Sequence, residues 1–483
     1  MRLGLMRRLA CTVLASCLLL AGCTGGDDEK DESGLPLGSP PAVSGTSMGP
    51  DLVPRVLLES TDELEESVGE LDTAQVERRA GAVVTEKLVV GYSVDNVSGY
   101  DLETGEQRWS ADIDFGTGTV CLVSQPETRK VKQVTVVFGV GGYCDGVATV
   151  RVSDGKVLKT VNMMDVPSGD RLSGSSISDM VTVGRVDHLI SFRGEVYRMN
   201  QGTPKLLDEL KSDRYFRLVR TPQAPLLVGS RSRSDGKDGC MVDAYELPSF
   251  KPAWSKPHAE LFPEGKKDCV VSLVKGDGLW AYEETGQKYY MVQLDPATGD
   301  VIGRGEDEKS SEGPTPKGEF DLSYGALDAQ NALGLDDGDV VFPQVYGLAR
   351  YSLADDKLSW SLDYKGLKMD QADEFDDIAV GPSSVTPDGG YVVTTLSNRA
   401  AVEVIAVDAR TGKLVGRWAV PRKYRNGFQV MPGLTLFDGG VVLTRNFEGW
   451  EFQYEYGDAK EPEGDRYDIG VFTFPEPAEG DDE

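Results

Sequence analysis

The sequence predicts an all-β chain, an eight-bladed β-propeller that follows an N-terminal leader and a flexible tether. Three observations carry that expectation. From about residue 79 to 475 the chain reads as short strands rich in Val, Tyr and Phe, broken by turn residues, with no convincing amphipathic helix. An apolar strand recurs near residues 88, 134, 187, 225, 278, 339, 390 and 439. Each step, from the shortest (187 to 225) to the longest (278 to 339), suits one four-stranded blade. Between recurrences lies a turn of Asp, Thr and Gly, followed in the best copies by Trp. Seven blades is the alternative count, because the last unit is irregular.

Taken in order, residues 1–22 carry Arg2, Arg7 and Arg8 and no acid, ahead of the nearly unbroken apolar run Leu9–Leu20. About a dozen apolar residues are too few for a bilayer span of roughly 20 and right for a signal-peptide core. The run ends in Leu20-Ala21-Gly22-Cys23, which resembles the bacterial lipobox. That resemblance implies cleavage before Cys23 and lipidation of its thiol. The protein would then be held by lipid at the extracytoplasmic face of the cell membrane. Residues 23–50 hold few apolar side chains beyond Leu35, Leu37, Val43 and Met48. They are expected to form a disordered tether with a reach of about 30 Å. Residues 51–78 are expected to be peripheral, with a short acidic helix near Ser60 to Arg78. The propeller then occupies 79–475, and 476–483 form an acidic tail.

The formal net charge is −29, and removing residues 1–22 takes away three Arg and no acid, leaving −32. Such a surface repels nucleic acid and anionic headgroups, so neither is expected as a partner. The expected partners are the membrane, reached through the lipid, and a protein or envelope component. Cys11, Cys17 and Cys23 belong to the leader region, leaving Cys121, Cys144, Cys240 and Cys269. An even number in an exported chain points to disulfides, and the spacings match no metal pattern. In the blade reading Cys121 opens the first strand of blade 2, and Cys144 lies just past the second. Cys240 opens the third strand of blade 4 and Cys269 the first of blade 5, all at the same face. The expected pairs are therefore Cys121–Cys144 and Cys240–Cys269.

The clearest repeat copies are Asp101-Leu-Glu-Thr104-Gly105-Glu-Gln-Arg-Trp109 and, with a longer tail, Asp408-Ala-Arg-Thr411-Gly412 through Trp418. Weaker copies hold Asp154-Gly155, Asn200-Gln-Gly202, Glu246 to Trp254, Asp295 to Gly299, and Ala354 to Trp360. Asp turned onto its own backbone, and Gly free to take positive φ, close the third strand of a blade onto the fourth. Trp on the outer strand covers the groove against a neighbour. A single small sheet cannot bury both faces, so the ring supplies the core. The pattern Asp-x-x-Thr-Gly-x-x-x-Trp resembles the pyrroloquinoline-quinone-type propeller repeat, also called the tryptophan-docking repeat. The resemblance covers roughly residues 80–475 and implies an eight-bladed ring. It also implies that an enzymatic member would carry an adjacent Cys-Cys disulfide over a quinone, Glu and Asn on Ca²⁺, and an Asp base. No Cys-Cys pair and no Cys-x-x-Cys-His occurs in this chain, so the resemblance implies a fold without the cofactor.

Other chemistry is thin. His188 and His258 are the only histidines; the first opens a strand and the second follows Pro257 in a charged loop, so neither suits a catalytic base. Gly139-Val-Gly-Gly142 ends a strand and opens no helix, unlike a phosphate loop. Asp235-Gly-Lys-Asp-Gly239 lacks the spacing of a calcium loop. The acidic stretches Glu306 to Glu319 and Asp458 to Asp465 read as solvated rim loops. Trp450, Phe452, Tyr454 and Tyr456 alternate with polar residues, which as a strand puts all four on one face. That face either packs between the last and first blades or offers a partner-binding rim. The expected function is a non-catalytic binding or scaffolding module, without cofactor or metal. The alternative is a degenerate quinoprotein-like enzyme or small-molecule sensor using the central channel.

Overall fold

The computed structural model describes residues 49–475 apart from 60–79, 114–118, 167–176, 220–225, 233–239, 264–271, 309–331, 368–378, 446–464 and some shorter stretches. Residues 1–48 and 476–483 also lie outside the described residues. The described chain is nearly all β, with eight sheets, antiparallel apart from one two-residue pair, following one another around a ring. The blades span 80–110, 119–162, 177–211, 214–257, 272–308, 333–363, 379–419 and 433–473. Within each, the main strands lie across the sheet in chain order; Lys275–Gly276 pairs with Leu333–Gly334 of the next blade, and Ala379–Val380 and Ser384–Val385 both pair with Tyr391–Ser397. The ring is an eight-bladed β-propeller.

The recurring apolar strands fall at the second position of every blade. They are Leu88–Ser93, Gln133–Val140, Asp187–Phe192, Leu226–Ser232, Leu279–Thr285, Asp339–Gln344, Tyr391–Ser397 and Gly440–Thr444. Neighbouring blades cover both faces of these middle strands, so they read as near-continuous apolar runs rather than alternating ones. Tyr391–Ser397, for example, is buried at every position but the first. The core therefore lies between blades. One cluster joins Val90, Val97 and Trp109 of blade 1 to Val134, Ala148 and Val150 of blade 2. Each fully buried Val or Leu of such a seam contributes roughly 1.5–3 kcal/mol.

The expectation of a peripheral segment at 51–78 needs correction. Val53–Glu59 is the outermost strand of blade 8, antiparallel to Tyr467–Thr473, with Val56 opposite Val471 and Leu57 opposite Gly470. The propeller thus begins at residue 53 and is closed by pairing the two ends of its chain. A lone strand carries no internal repeat, so periodicity could not assign it. The helix expected near Ser60 to Arg78 lies outside the described residues. The tether boundary also shifts: Gly49 N–H donates to the Arg417 carbonyl at 2.8 Å and Leu52 N–H to that of Ala419 at 2.9 Å. The acidic stretch from Glu306 begins within the outer strand of blade 5, Val301–Glu308, and not in a loop.

Cys121 and Cys144 form a disulfide that ties the first strand of blade 2 to the third. Cys121 sits at a bulge, and a second bulge at Phe138/Gly139 shifts the middle strand's register on its other side. Cys144 lies inside the third strand, Tyr143–Arg151, one residue from its start. Cys240 opens the third strand of blade 4 and is also disulfide-bonded. Cys269 lies outside the described residues.

Candidate functional site

The repeat turn is built as its chemistry demands. In blade 1 the Asp101 carboxylate accepts the backbone N–H groups of Glu103 and Thr104, both at 3.0 Å, and the Arg108 guanidinium at 2.8 Å. Those donors, Thr104 N–H foremost, hold Asp101 below the usual carboxylate range. Gly105 takes φ +75° and returns its N–H to the Asp101 carbonyl at 2.9 Å. In blade 7 Asp408 accepts Arg410 N–H at 3.1 Å, Thr411 N–H at 2.7 Å and the Thr411 hydroxyl at 2.8 Å, with Gly412 at φ +69°. Burial alone would raise Asp408, and the Thr411 donors outweigh it.

The indole then docks on the next blade's turn. Trp109 Nε1–H donates to the Val152 carbonyl of blade 2 at 2.7 Å, and a Cβ on Gly155 would stand 2.6 Å from the ring. Trp254 of blade 4 donates to Pro296 of blade 5 at 2.8 Å, above Gly299. Trp360 of blade 6 donates to Ala409 of blade 7 at 2.9 Å, above Gly412. Asp101, Thr104 and Gly105 thus face the seam behind blade 1, where Gly105 abuts the Arg55 carbonyl, while Trp109 belongs to the seam ahead. The motif residues make joints around the ring and are not gathered into one site.

Two of the remaining seams are joined differently. In blades 1, 4 and 6 the Trp follows directly on an outer-strand bulge, opposite Gly99, Ala244 and Arg350. In blade 7 that place is held by Gly416, and Trp418 lies two residues farther on, opposite Val404. Its ring folds back over Gly416 and meets Phe474 at 4.6 Å between centroids. The longer tail of that copy is therefore a different joint, because blade 8 has no turn between its third strand and Val53–Glu59 to receive an indole. Between blades 3 and 4 the acceptor supplies the aromatic. Phe250 occupies the glycine place at φ +56° and packs with Leu189, Val196 and Leu207 of blade 3. A bulky residue there costs about 1–3 kcal/mol in backbone strain, offset by the ring it buries. The Arg198 guanidinium lies 5.4 Å from that ring.

Several charged residues at these joints have no signature in a strand-and-turn reading. Arg198 pairs with Asp187 and Arg350 with Asp339, each at 2.6 Å and eleven residues apart, at matching places in blades 3 and 6. Arg350 also reaches Asp337 and donates to the Ala409 carbonyl at 2.7 Å. The recurring Asp–Arg spacing was the available signal. Glu403 and Arg417 form a buried two-point pair at 2.6 and 2.9 Å. Asp468 faces Arg445 at 3.6 Å and accepts Ser93 Oγ of blade 1 at 3.1 Å. Arg129 of blade 2 reaches past blade 1 to Asp438 of blade 8 at 2.5 Å. Among the described residues no group of His, Cys, Asp and Glu is arranged to hold a metal ion. His188 is fully buried against Thr182 Oγ1 at 3.1 Å, and burial lowers its pKa to about 4. His258 is buried beside Phe262, which likewise lowers its pKa.

The meander gives the two faces unequal content. Links between first and second strands, and between third and fourth, emerge on one face, such as 85–87, 102–106 and 409–413. Links between second and third strands, and from each blade to the next, emerge on the other. The longest all do so: 60–79, 309–332 and 445–466. Cys121, Cys144 and Cys240 stand at that same loop face. Trp450, Phe452, Tyr454 and Tyr456 belong to the segment joining the second and third strands of blade 8, and lie outside the described residues, as does Cys23.

No protein-family profile matches the chain, and no curated protein sequence does. Solved structures do match in shape. The Dos1 propeller superposes with a TM-score of 0.52 at 9% identity, over 87% of this chain and 95% of that one. That likeness shows the fold. BamB from Moraxella catarrhalis gives 0.45 at 11% identity, over 84% and 97% of the two chains. The quinohemoprotein alcohol dehydrogenase from Comamonas testosteroni gives 0.46 at 13%, over 84% and 77%.

Proposed function

We propose that the chain is a lipid-anchored extracytoplasmic protein whose propeller is a non-catalytic binding or scaffolding module, with the loop face engaging a protein or envelope component. The observation that carries this reading is the division of labour around the ring. The repeat chemistry is consumed in blade-to-blade joints, and the longest connections all leave from one face. A rigid ring presenting variable loops on one side is a general way to build a recognition surface. The anchor rests on Leu20-Ala21-Gly22-Cys23 behind a short apolar core. Replacing Cys23 with Ala should block processing and leave a larger precursor without acyl mass. Normal cleavage of the variant, with no lipid on the wild type, would remove the anchor from the account. The rival, a channel-borne quinone site, is tested by incubating purified protein with pyrroloquinoline quinone and Ca²⁺. No stoichiometric binding is expected; tight binding with dye reduction on alcohols or sugars would overturn the non-catalytic reading.

A further inference from the structure

The joint between blades 7 and 8 is completed by residues that precede the propeller. Blade 8 has no third-to-fourth turn, so the Trp418 indole, fully buried, has lost the acceptor that its counterparts use, and its Nε1–H meets none among the described residues. The chain entering the ring fills that place. Gly49 and Leu52 hydrogen-bond to the Arg417 and Ala419 carbonyls on either side of Trp418. Leu52 is 1% exposed and packs into the cluster of Trp418, Phe428, Leu443 and Phe472. Gly49 lies against the indole itself: a Cβ there would stand 2.9 Å from the Arg417 carbonyl and 3.3 Å from Trp418. We infer that residues 49–52 are a strap, the end of the tether laid along the outer strand of blade 7, and that lifting it opens the seam over Trp418. Whatever displaces the strap would therefore loosen the ring at its closure, so the tether and the propeller's stability are linked. This inference does not depend on lipidation at Cys23.

Hydrogen exchange on the wild-type protein tests it without a substitution. The Gly49 and Leu52 amides should exchange at least about tenfold more slowly than those of residues 24–47. Exchange at the tether's own rate would overturn the strap. Gly49→Val and Leu52→Ala should each lower Tm and raise acrylamide quenching of Trp418, isolated by difference against Trp418→Phe. Gly38→Val, the same change within the tether, should alter neither. Strap variants indistinguishable from Gly38→Val would refute the inference, and neither result bears on whether Cys23 carries lipid.

Discussion

Single residues show how tightly the joints are made. Gly155 and Gly439 both hold positive φ, at +68° and +78°, but a Cβ on Gly155 would strike Trp109 at 2.6 Å, whereas one on Gly439 would meet nothing within 4 Å. Gly439→Ala should therefore cost about 1 kcal/mol, the backbone term alone. Gly155→Ala should cost roughly 2–4 kcal/mol, because it also displaces a buried indole. Urea unfolding of the two variants measures the difference, and equal losses would mean that the dock contributes nothing. His188 gives a pH signature. Burial lowers its folded pKa to about 4, from about 6.5 in the unfolded chain. The unfolded state then binds the extra proton first, so stability falls as pH drops from about 6.5 toward 4. By pH 5 the loss is about 2 kcal/mol. His258 acts in the same direction. Asp101, Asp154, Asp300 and Asp408 are shifted below 3.8, so their contribution is lost only as pH falls further. His188→Gln should flatten the stability curve between pH 7 and 5, and an unchanged slope would assign it to other groups.

At the scale of elements, the joint is a Trp on one blade and a turn on the next. Trp109→Phe keeps the ring's bulk but leaves the buried Val152 carbonyl without its donor, at a cost of about 1–3 kcal/mol. Chemical denaturation should also show Trp109→Ala losing about 3–5 kcal/mol. A loss below 0.5 kcal/mol for both would make the dock ornamental. This layer was largely legible in the sequence. The second strands were marked by unbroken apolar runs, and the Asp101 and Asp408 turns by Asp, Thr and Gly at fixed offsets. What could not be read was whatever depended on a partner far along the chain. Val53–Glu59 pairs with the other end of the propeller, Phe250 stands where a turn glycine belongs because blade 3 lacks a Trp, and Trp418 is displaced because no turn follows it. The Glu403–Arg417 pair was invisible for another reason: nothing in a strand pattern separates a buried charge from a solvated one.

For the whole molecule, closure decides both stability and accessibility. The ring is shut by the hydrogen bonds between Val53–Glu59 and Tyr467–Thr473, and the entering chain runs straight into that strand. The turn face is occupied by short, internally satisfied hairpins, whereas the loop face, proposed to bind the partner, carries the longest connections. Site-specific photo-crosslinking in cells compares them directly on the full-length protein. Probes would replace Asn96 and Met164, exposed on the loop face, and Glu103 and Arg410, exposed on the turn face. Discrete protein adducts are predicted from the first pair and not from the second. Adducts confined to the turn-face pair, equal labelling of the two faces, or no adduct from either pair, would contradict the reading of this propeller as a loop-face binding module.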